Sequence, residues 1–356
     1  MFEAAWSVFG GVADRLEQAR ALPGAAYVDP EVFAGEVRQV MHAGWAPVAR
    51  VSDLAKPGDY RSVDLAGAPL VAVHDASGTI QVLSRACRHR GMPVVEGSGN
   101  AKAFTCPYHL WRYGLDGRLA AAPAMDGSEV FDRADCALPK VATELWGGWV
   151  FANVDGRAPP LAPRLAPLAE RLAAVDPASL VSAGFLEFDS PWNWKLMVEN
   201  FLESYHHIGP HAQTLQLTNP GLGTYESLGS EAFTVLENPP VDDSQAPFSV
   251  AAAFPLTLMS FVEDGSRTGV WYEMDRIRAD GFLLRIHLLA PPDVARDGAF
   301  AEGMKGLVNA VHLEDIAACA GAQSGMASPL YEPGPLSRLE APLWRFHRHL
   351  RACFGN

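Results

Sequence analysis

Cysteine is sparse in this 356-residue chain, five in all, at positions 87, 106, 136, 319 and 353. An odd, scattered set of this kind is not the disulfide framework of a small secreted protein. Charge is thin too, at 19% of residues, and leans acidic: 28 Lys and Arg against 41 Asp and Glu, a net charge of −13. Without clustered cations to neutralise phosphates, a nucleic-acid partner is not expected. Long hydrophobic runs are missing. The longest, residues 250–262, is interrupted by Pro255 and Ser260 and is too short to span a bilayer, so no membrane is expected. Glu3 stands where a secretory signal would be basic, and the expectation is a cytoplasmic protein. Nor does a Gly-x-Gly-x-x-Gly follow a predicted strand, so the chain has no dinucleotide site of its own.

What is present is globular. At 49% hydrophobic residues the chain can build ordinary cores, and its length allows two domains. Residues 3–22 read as a short helix followed by a connector with Pro23, Gly24 and Pro30. From 44 to 154 the texture is all-β: short apolar runs at 70–73, 79–83, 103–105 and 149–153, with hairpin signals at Ser77-Gly78 and Asp116-Gly117. Prolines 159, 160, 163 and 167 crowd a linker-like stretch. Beyond it, strands are predicted at 184–189, 233–237, 256–262, 269–278 and 282–289, and helices at 299–324 and 341–354. That order of elements predicts α+β.

Two loops in the β-rich half carry the sharpest motif. Cys87-x-His89 is followed by Cys106-x-x-His109, each pair supplying one thiol and one imidazole. A structural zinc uses Cys-x2-4-Cys and His-x3-5-His arms. Interleaved ligand types suit instead a two-iron cluster, two thiolates on one iron and two imidazoles on the other, the Rieske arrangement. Cys136, Cys319 and Cys353 have no such partners and read as small core residues.

A second constellation lies at 193–211. Trp194, Met197, Val198, Phe201, Leu202 and Tyr205 recur at helical spacing on one stripe, while Glu199, Glu203 and His206, with Asn200 beside them, form the other face. On an isolated helix such a face is simply solvated. Gly209-Pro210 ends the helix, and His211 follows at once, so His206 and His211 can converge from a helix end and a loop. Two imidazoles beside acids suggest a divalent metal. Downstream, Met304, Leu307, Val308 and Val311 define an apolar stripe that Asp315 continues. An acid there must be paired, protonated or metal-bound.

These motifs, in this order, resemble the catalytic α subunits of Rieske non-haem iron oxygenases, the aromatic-ring-hydroxylating family. Cys87-x-His89-Arg90-Gly91 matches the family's first loop. Cys106-Pro107-Tyr108-His109-Leu110-Trp111 matches the second, except that Leu110 replaces the usual glycine. The resemblance implies a Rieske [2Fe-2S] domain at 41–155 after an N-terminal helix and connector (1–40), then a helix-grip catalytic domain at 156–356, an antiparallel sheet with a long helix. It implies a mononuclear Fe(II) held by His206, His211 and Asp315, with Glu314 the weaker alternative to Asp315. Catalytic roles fall to Asn200 and to Glu203, which bridges a Rieske histidine of one subunit to an iron-ligand histidine of the next in a homotrimer. Most relatives carry aspartate at that position. Glutamate is similar to members acting on quaternary ammonium compounds such as carnitine or choline.

The function so implied is a terminal oxygenase, fed electrons by a flavin or iron-sulfur reductase or a ferredoxin. It would hydroxylate or oxidatively demethylate a small organic substrate with O2. The alternatives are an oxygenase acting on an aromatic acid, a plain electron carrier, which leaves the second constellation idle, and a hydrophobic-ligand binding module. Phe201, Leu202, Met259, Phe261, Trp271 and Tyr272 are the predicted pocket residues, although a strand's two faces are not separable from sequence.

Overall fold

The computed structural model describes residues 3–355, and its N-terminal segment is more helical than the sequence pattern predicts. Helix α1 (Glu3–Phe9) ends ahead of Gly10-Gly11 instead of running to residue 22. Two further helices, α2 (Ala25–Val28) and α3 (Pro30–Glu36), replace the expected connector, and α3 runs on into a π turn at Val37–Met41. Pro30, read as punctuation, starts a helix: it takes the first helical position while the Asp29 carboxylate accepts the Glu31 N–H at 2.8 Å. This segment packs onto the far end of the chain, where Phe9 stacks on Phe354 with centroids 5.2 Å apart.

The β-rich region follows as β1 (Ala46–Arg50), β2 (Asp59–Leu65), β3 (Ala68–His74), β4 (Ile80–Ser84), β5 (Ser98–Asn100), β6 (Phe104–Thr105), β7 (Arg112–Tyr113), β8 (Leu119–Ala121), β9 (Lys140–Trp146) and β10 (Trp149–Asn153). Seven strands form one antiparallel sheet in the order β1-β10-β9-β4-β3-β2-β5, and β6-β7-β8 form a small second one. Both hairpin signals mark turns. Gly78 and Gly117 take positive φ, +91° and +86°, which L-residues avoid. The proline-rich stretch is not a bare linker. It forms α4 (Leu161–Arg164) and α5 (Ala166–Arg171), whose Leu161, Leu165 and Leu168 are buried in a core with Trp149 and Trp271.

The last region holds β11 (Val181–Ser190), α6 (Trp194–Phe201), α7 (Leu215–Thr218), β12 (Tyr225–Gly229), β13 (Phe233–Asn238), β14 (Phe248–Ala253), β15 (Thr257–Val262), β16 (Gly269–Arg278), β17 (Gly281–Ala290), α8 (Gly298–Met326) and α9 (Ala341–Phe354). The strands make a second antiparallel sheet, β11-β17-β16-β15-β14-β13-β12, on which α8 packs against α6 and β11. The whole is α+β, as expected. Strands β12 and β14 escape the sequence reading, the first because its exposed residues show no alternation, the second because it merges with β15 in one apolar run.

Alternation along the central strands decides what each face does. Ala251, Met259, Phe261 and Trp271 point into the core shared with Trp149. Val250, Ser260, Val262, Val270 and Tyr272 point the other way, toward α8, and line a cavity. The two large sheets are joined by charge as well as by packing. Arg61 of β2 pairs with Glu273 of β16, and the Asp64 N–H donates to Asp275 Oδ1 at 2.9 Å. Among the described residues no helix is long and apolar enough to cross a membrane.

Candidate metal centres and the cavity beside them

The two Cys-His loops are copies of one turn. The Gly91 N–H donates to the Cys87 carbonyl at 2.8 Å, and the Leu110 N–H to the Cys106 carbonyl at 3.0 Å. Both residues are left-handed, with φ of +75° and +60°. Leu110 thus keeps the backbone that a glycine would adopt freely, at a cost of about 1 kcal/mol. Cys87 and Cys106 are buried free thiols, with Cys87 Sγ 3.2 Å from the Tyr113 hydroxyl. His89 and His109 are exposed, their ring centroids 4.6 Å apart, and His89 stacks on Trp111 at 4.9 Å. Among the described residues neither imidazole has a hydrogen bond to protein, so two exposed imidazoles stand over two buried thiols. This donor set fits a Cys2His2 two-iron cluster. Cys319 is buried, while Cys136 and Cys353 are half-buried against the core.

The second centre is assembled from three separate segments. Asn193 caps α6 by accepting the Lys195 N–H at 3.1 Å, but the helix stops at Phe201, short of the predicted length. At the break, Glu203 Oε2 accepts the His206 N–H at 3.0 Å, and a new 3-10 turn, Tyr205–Ile208, follows. Tyr205 therefore leaves the apolar stripe and is 40% exposed. Glu199, one turn earlier, is not solvated. It is buried beneath the helix, accepting from the Tyr27 hydroxyl at 2.8 Å and bonded to His347 Nε2 at 2.9 Å.

The new turn aims His206 at His211 and Asp315. The Nε2 atoms of His211 and His206 lie 3.0 and 3.5 Å from Asp315 Oδ1, and the three donor atoms all fall within 4.8 Å of one another. Each imidazole is held from behind by a second carboxylate. Glu203 Oε1 is 2.7 Å from His206 Nδ1, and Glu314 Oε2 is 2.7 Å from His211 Nδ1. A carboxylate there can accept the Nδ1 proton, which would leave each Nε2 lone pair for a bound metal. Asn200 Nδ2 donates to Asp315 Oδ1 at 3.2 Å, and Thr214 donates to Glu314 at 2.7 Å. Burial resists charge on both groups, but their mutual bonds outweigh it, raising the His211 pKa and lowering that of Asp315. Two imidazoles and one carboxylate on one side of a common point fit a facial-triad metal.

Glu314 is the residue the sequence undervalues. It lies off the apolar stripe because its place is behind His211, a role that helical periodicity carries no signal for. His312 was also missed. It is fully buried on α8 between Phe188 and Tyr272, both ring nitrogens lack partners, and burial pushes its pKa down to about 4. His207, likewise lowered to about 4 by burial, faces the cavity and is bonded through Nδ1 to the Asn219 carbonyl.

Beside the triad is a cavity of about 670 Å³. Of the six predicted lining residues, Phe201 and Tyr272 line it, their rings 4.7 Å apart. Leu202, Met259, Phe261 and Trp271 do not: they are core residues, the strand members on the opposite face of the sheet. The stripe on α8 is cavity wall instead of core, and its Leu307 is 62% exposed.

Comparison with known families agrees with this layout. Residues 44–138 match the Rieske [2Fe-2S] domain, and 177–251 and 251–356 match the ring hydroxylating alpha subunit (catalytic domain). The carnitine monooxygenase oxygenase subunit of Acinetobacter pittii is 35% identical over 192 residues, 53% of this chain and 51% of that one. Choline monooxygenase of Arabidopsis thaliana is 23% identical across 93% of this chain and 82% of its own length. The alignment with the carnitine enzyme thus spans about half of that relative. Among solved structures, the quaternary ammonium Rieske monooxygenase CntA in complex with L-carnitine superposes with a TM-score of 0.83, 23% identity and coverage of 95% and 96%. A naphthalene 1,2-dioxygenase mutant gives 0.81 at 19% identity, covering 96% and 93%.

Proposed function

Because the chain belongs to the ring hydroxylating α-subunit family, with a Rieske [2Fe-2S] domain ahead of its catalytic domain, we propose that it is the terminal oxygenase of a multicomponent system. Its substrate is a quaternary ammonium compound, hydroxylated or oxidatively demethylated with O2. The observation that carries the proposal is the convergence of two imidazole Nε2 atoms and one carboxylate in the wall of an apolar cavity, in a chain that also carries the paired Cys-His loops. An electron carrier needs only the loops.

In this reading Cys87, His89, Cys106 and His109 hold the cluster, and His206, His211 and Asp315 hold the iron. The division of the chain at about residues 40 and 155 separates the two, although residues 3–40 pack with the catalytic part. When bound, the cluster supplies single electrons and the iron supplies the place where O2 is reduced. The protein's own work is positional. Glu203 and Glu314 fix which ring nitrogens face the metal, Asn200 orients Asp315, and the walls formed by Phe201, Val270, Tyr272 and Val308 exclude water. The balance is substrate–H + O2 + NAD(P)H + H⁺ giving substrate–OH, water and NAD(P)⁺. The nicotinamide is oxidised on a partner reductase. Where an N-methyl group is hydroxylated, the product releases formaldehyde and leaves a demethylated amine.

Glu203 links this chain to its neighbours. The exposed His89 and His109 make no hydrogen bond to Glu203 of the same chain among the described residues. Its carboxylate keeps acceptor capacity beyond the two bonds to His206. This favours a homotrimer in which Glu203 receives a Rieske histidine from the adjacent subunit. Metal content tests the assignment first: about three irons per chain are expected, two in the cluster and one alone. Two irons would leave an electron carrier. O2-dependent, substrate-stimulated oxidation of the pre-reduced cluster then tests the oxygenase step.

A further inference from the structure

Charge is distributed one-sidedly in the cavity. Apart from the imidazoles, its charged lining residues are Glu203 and Asp315, both acids, and the described lining contains no lysine or arginine. Lys305, next to Met304 on α8, is not in the wall: its Nζ pairs with Glu302 at 2.8 Å, and its stem fills the space over Gly184 of β11.

The neutral donors in the wall are mostly committed. The Asn219 amide donates to the carbonyls of Asn238 and Ala246 at 3.0 and 3.1 Å, and the Asn200 amide donates to Asp315. The Ser204 hydroxyl donates to Asn238 at 2.6 Å and that of Thr218 to the Leu215 carbonyl at 3.3 Å. The Thr268 hydroxyl is paired with that of Ser266 at 3.0 Å, the Gln245 amide reaches only Ser244, at 3.4 Å, and the hydroxyls of Ser260 and Tyr272 are without a protein partner among the described residues. These few neutral donors do not replace the hydration of a carboxylate, and the described wall offers no lysine or arginine to make up the difference. A trimethylammonium group needs no hydrogen-bond donor, and the rings of Phe201, Phe248, Tyr272 and Phe300 in the wall can face it.

We infer that this site selects a quaternary ammonium compound whose other substituents are uncharged, and that it discriminates against zwitterions such as carnitine and glycine betaine. The inference rests on the oxygenase reading above and narrows its substrate class.

L-Carnitine and its methyl ester form the deciding pair, since esterification removes the negative charge and keeps the skeleton. Calorimetry on anaerobic, iron-loaded protein should show the ester binding about a hundredfold or more tightly, with choline over glycine betaine in the same sense. Carnitine binding within about threefold of its ester, or tighter, overturns the inference. So does binding of a neutral aromatic compound where neither the ester nor choline binds, and so does binding by none of them. In a second arm, Leu307→Arg places a guanidinium on the exposed part of the wall, and carnitine binding should rise about tenfold with the ester's unchanged or weakened. No gain for carnitine, with ester binding retained, counts against it. Oxidation of the reduced cluster by O2 is scored separately. If the ester binds selectively but triggers no oxidation, the oxygenase reading fails and the selectivity stands.

Discussion

Cys87, His89, Cys106 and His109 come from two neighbouring loops that fold as one turn used twice, while His206, His211 and Asp315 meet only because α8 packs over α6. In the first centre the backbone does the positioning: an amide four residues on returns to each cysteine's carbonyl, with a left-handed residue closing each loop. In the second, side chains do it. Glu203 holds His206, and Glu314, from a different element, holds His211. A locally built site shows in motif spacing. A site built by packing needs supporting residues that no motif records.

If that contrast is right, damage to one centre should leave the other intact. The largest effect is expected of Asp315→Ala, which should remove the mononuclear iron and all turnover while the cluster's visible absorption is unchanged. Loss of that iron in Glu314→Ala but not in Asp315→Ala would reverse the two roles. Next come the supporting carboxylates. Glu203→Gln and Glu314→Gln should each lower iron affinity or turnover by about 10- to 100-fold. They separate by mechanism: Glu314→Gln should act through loss of the iron, whereas Glu203→Gln should keep its iron and slow oxidation of the reduced cluster in a single turnover.

His109→Cys probes the local centre. The cluster should still assemble, and its potential should fall as thiolate replaces imidazole, on the order of 100 mV or more by protein-film voltammetry. Unchanged potential would remove His109 from the ligand set.

The joint between the two sheets gives a smaller effect with a defined pH window. Burial would raise the Glu273 pKa, but Arg61 and His287 overcome this and bring it from 4.5 to about 2. Its folded-state pKa being the lower one, its contribution of roughly 3 kcal/mol is present above pH 4.5 and lost as pH falls toward 2. Glu273→Gln should therefore destabilise the protein at pH 7, and the gap from wild type should shrink under acid in denaturant titrations. Leu110→Gly is the mildest change. Relief of the positive φ should stabilise the second loop by about 0.5 to 1 kcal/mol, read as slower loss of the cluster on heating.

Much of the architecture was legible because it obeys local rules. Helix α9 has the predicted limits, α8 lies within a few residues of them, and both hairpin turns sit at their Gly signals. Where reading failed, tertiary partners overrode local pattern. Glu199 sits on what looks like a solvated face yet is buried against Tyr27 and His347, from opposite ends of the chain. Tyr205 keeps the helical spacing but not the helix, and the His206 amide donates to the Glu203 side chain.

The sequence by itself determined the order and type of most elements, the family resemblance, and the residues able to bind metal, because spacing, turn chemistry and donor identity are local properties. Only the tertiary structure decided which faces of β14–β16 meet the cavity, which acids stand behind the imidazoles, and which residues line that cavity. A strand's alternation defines two faces but not which one is covered, and that is settled by packing: Trp149 and α5 claim one face of the sheet, and α8 leaves the other open beside Asp315.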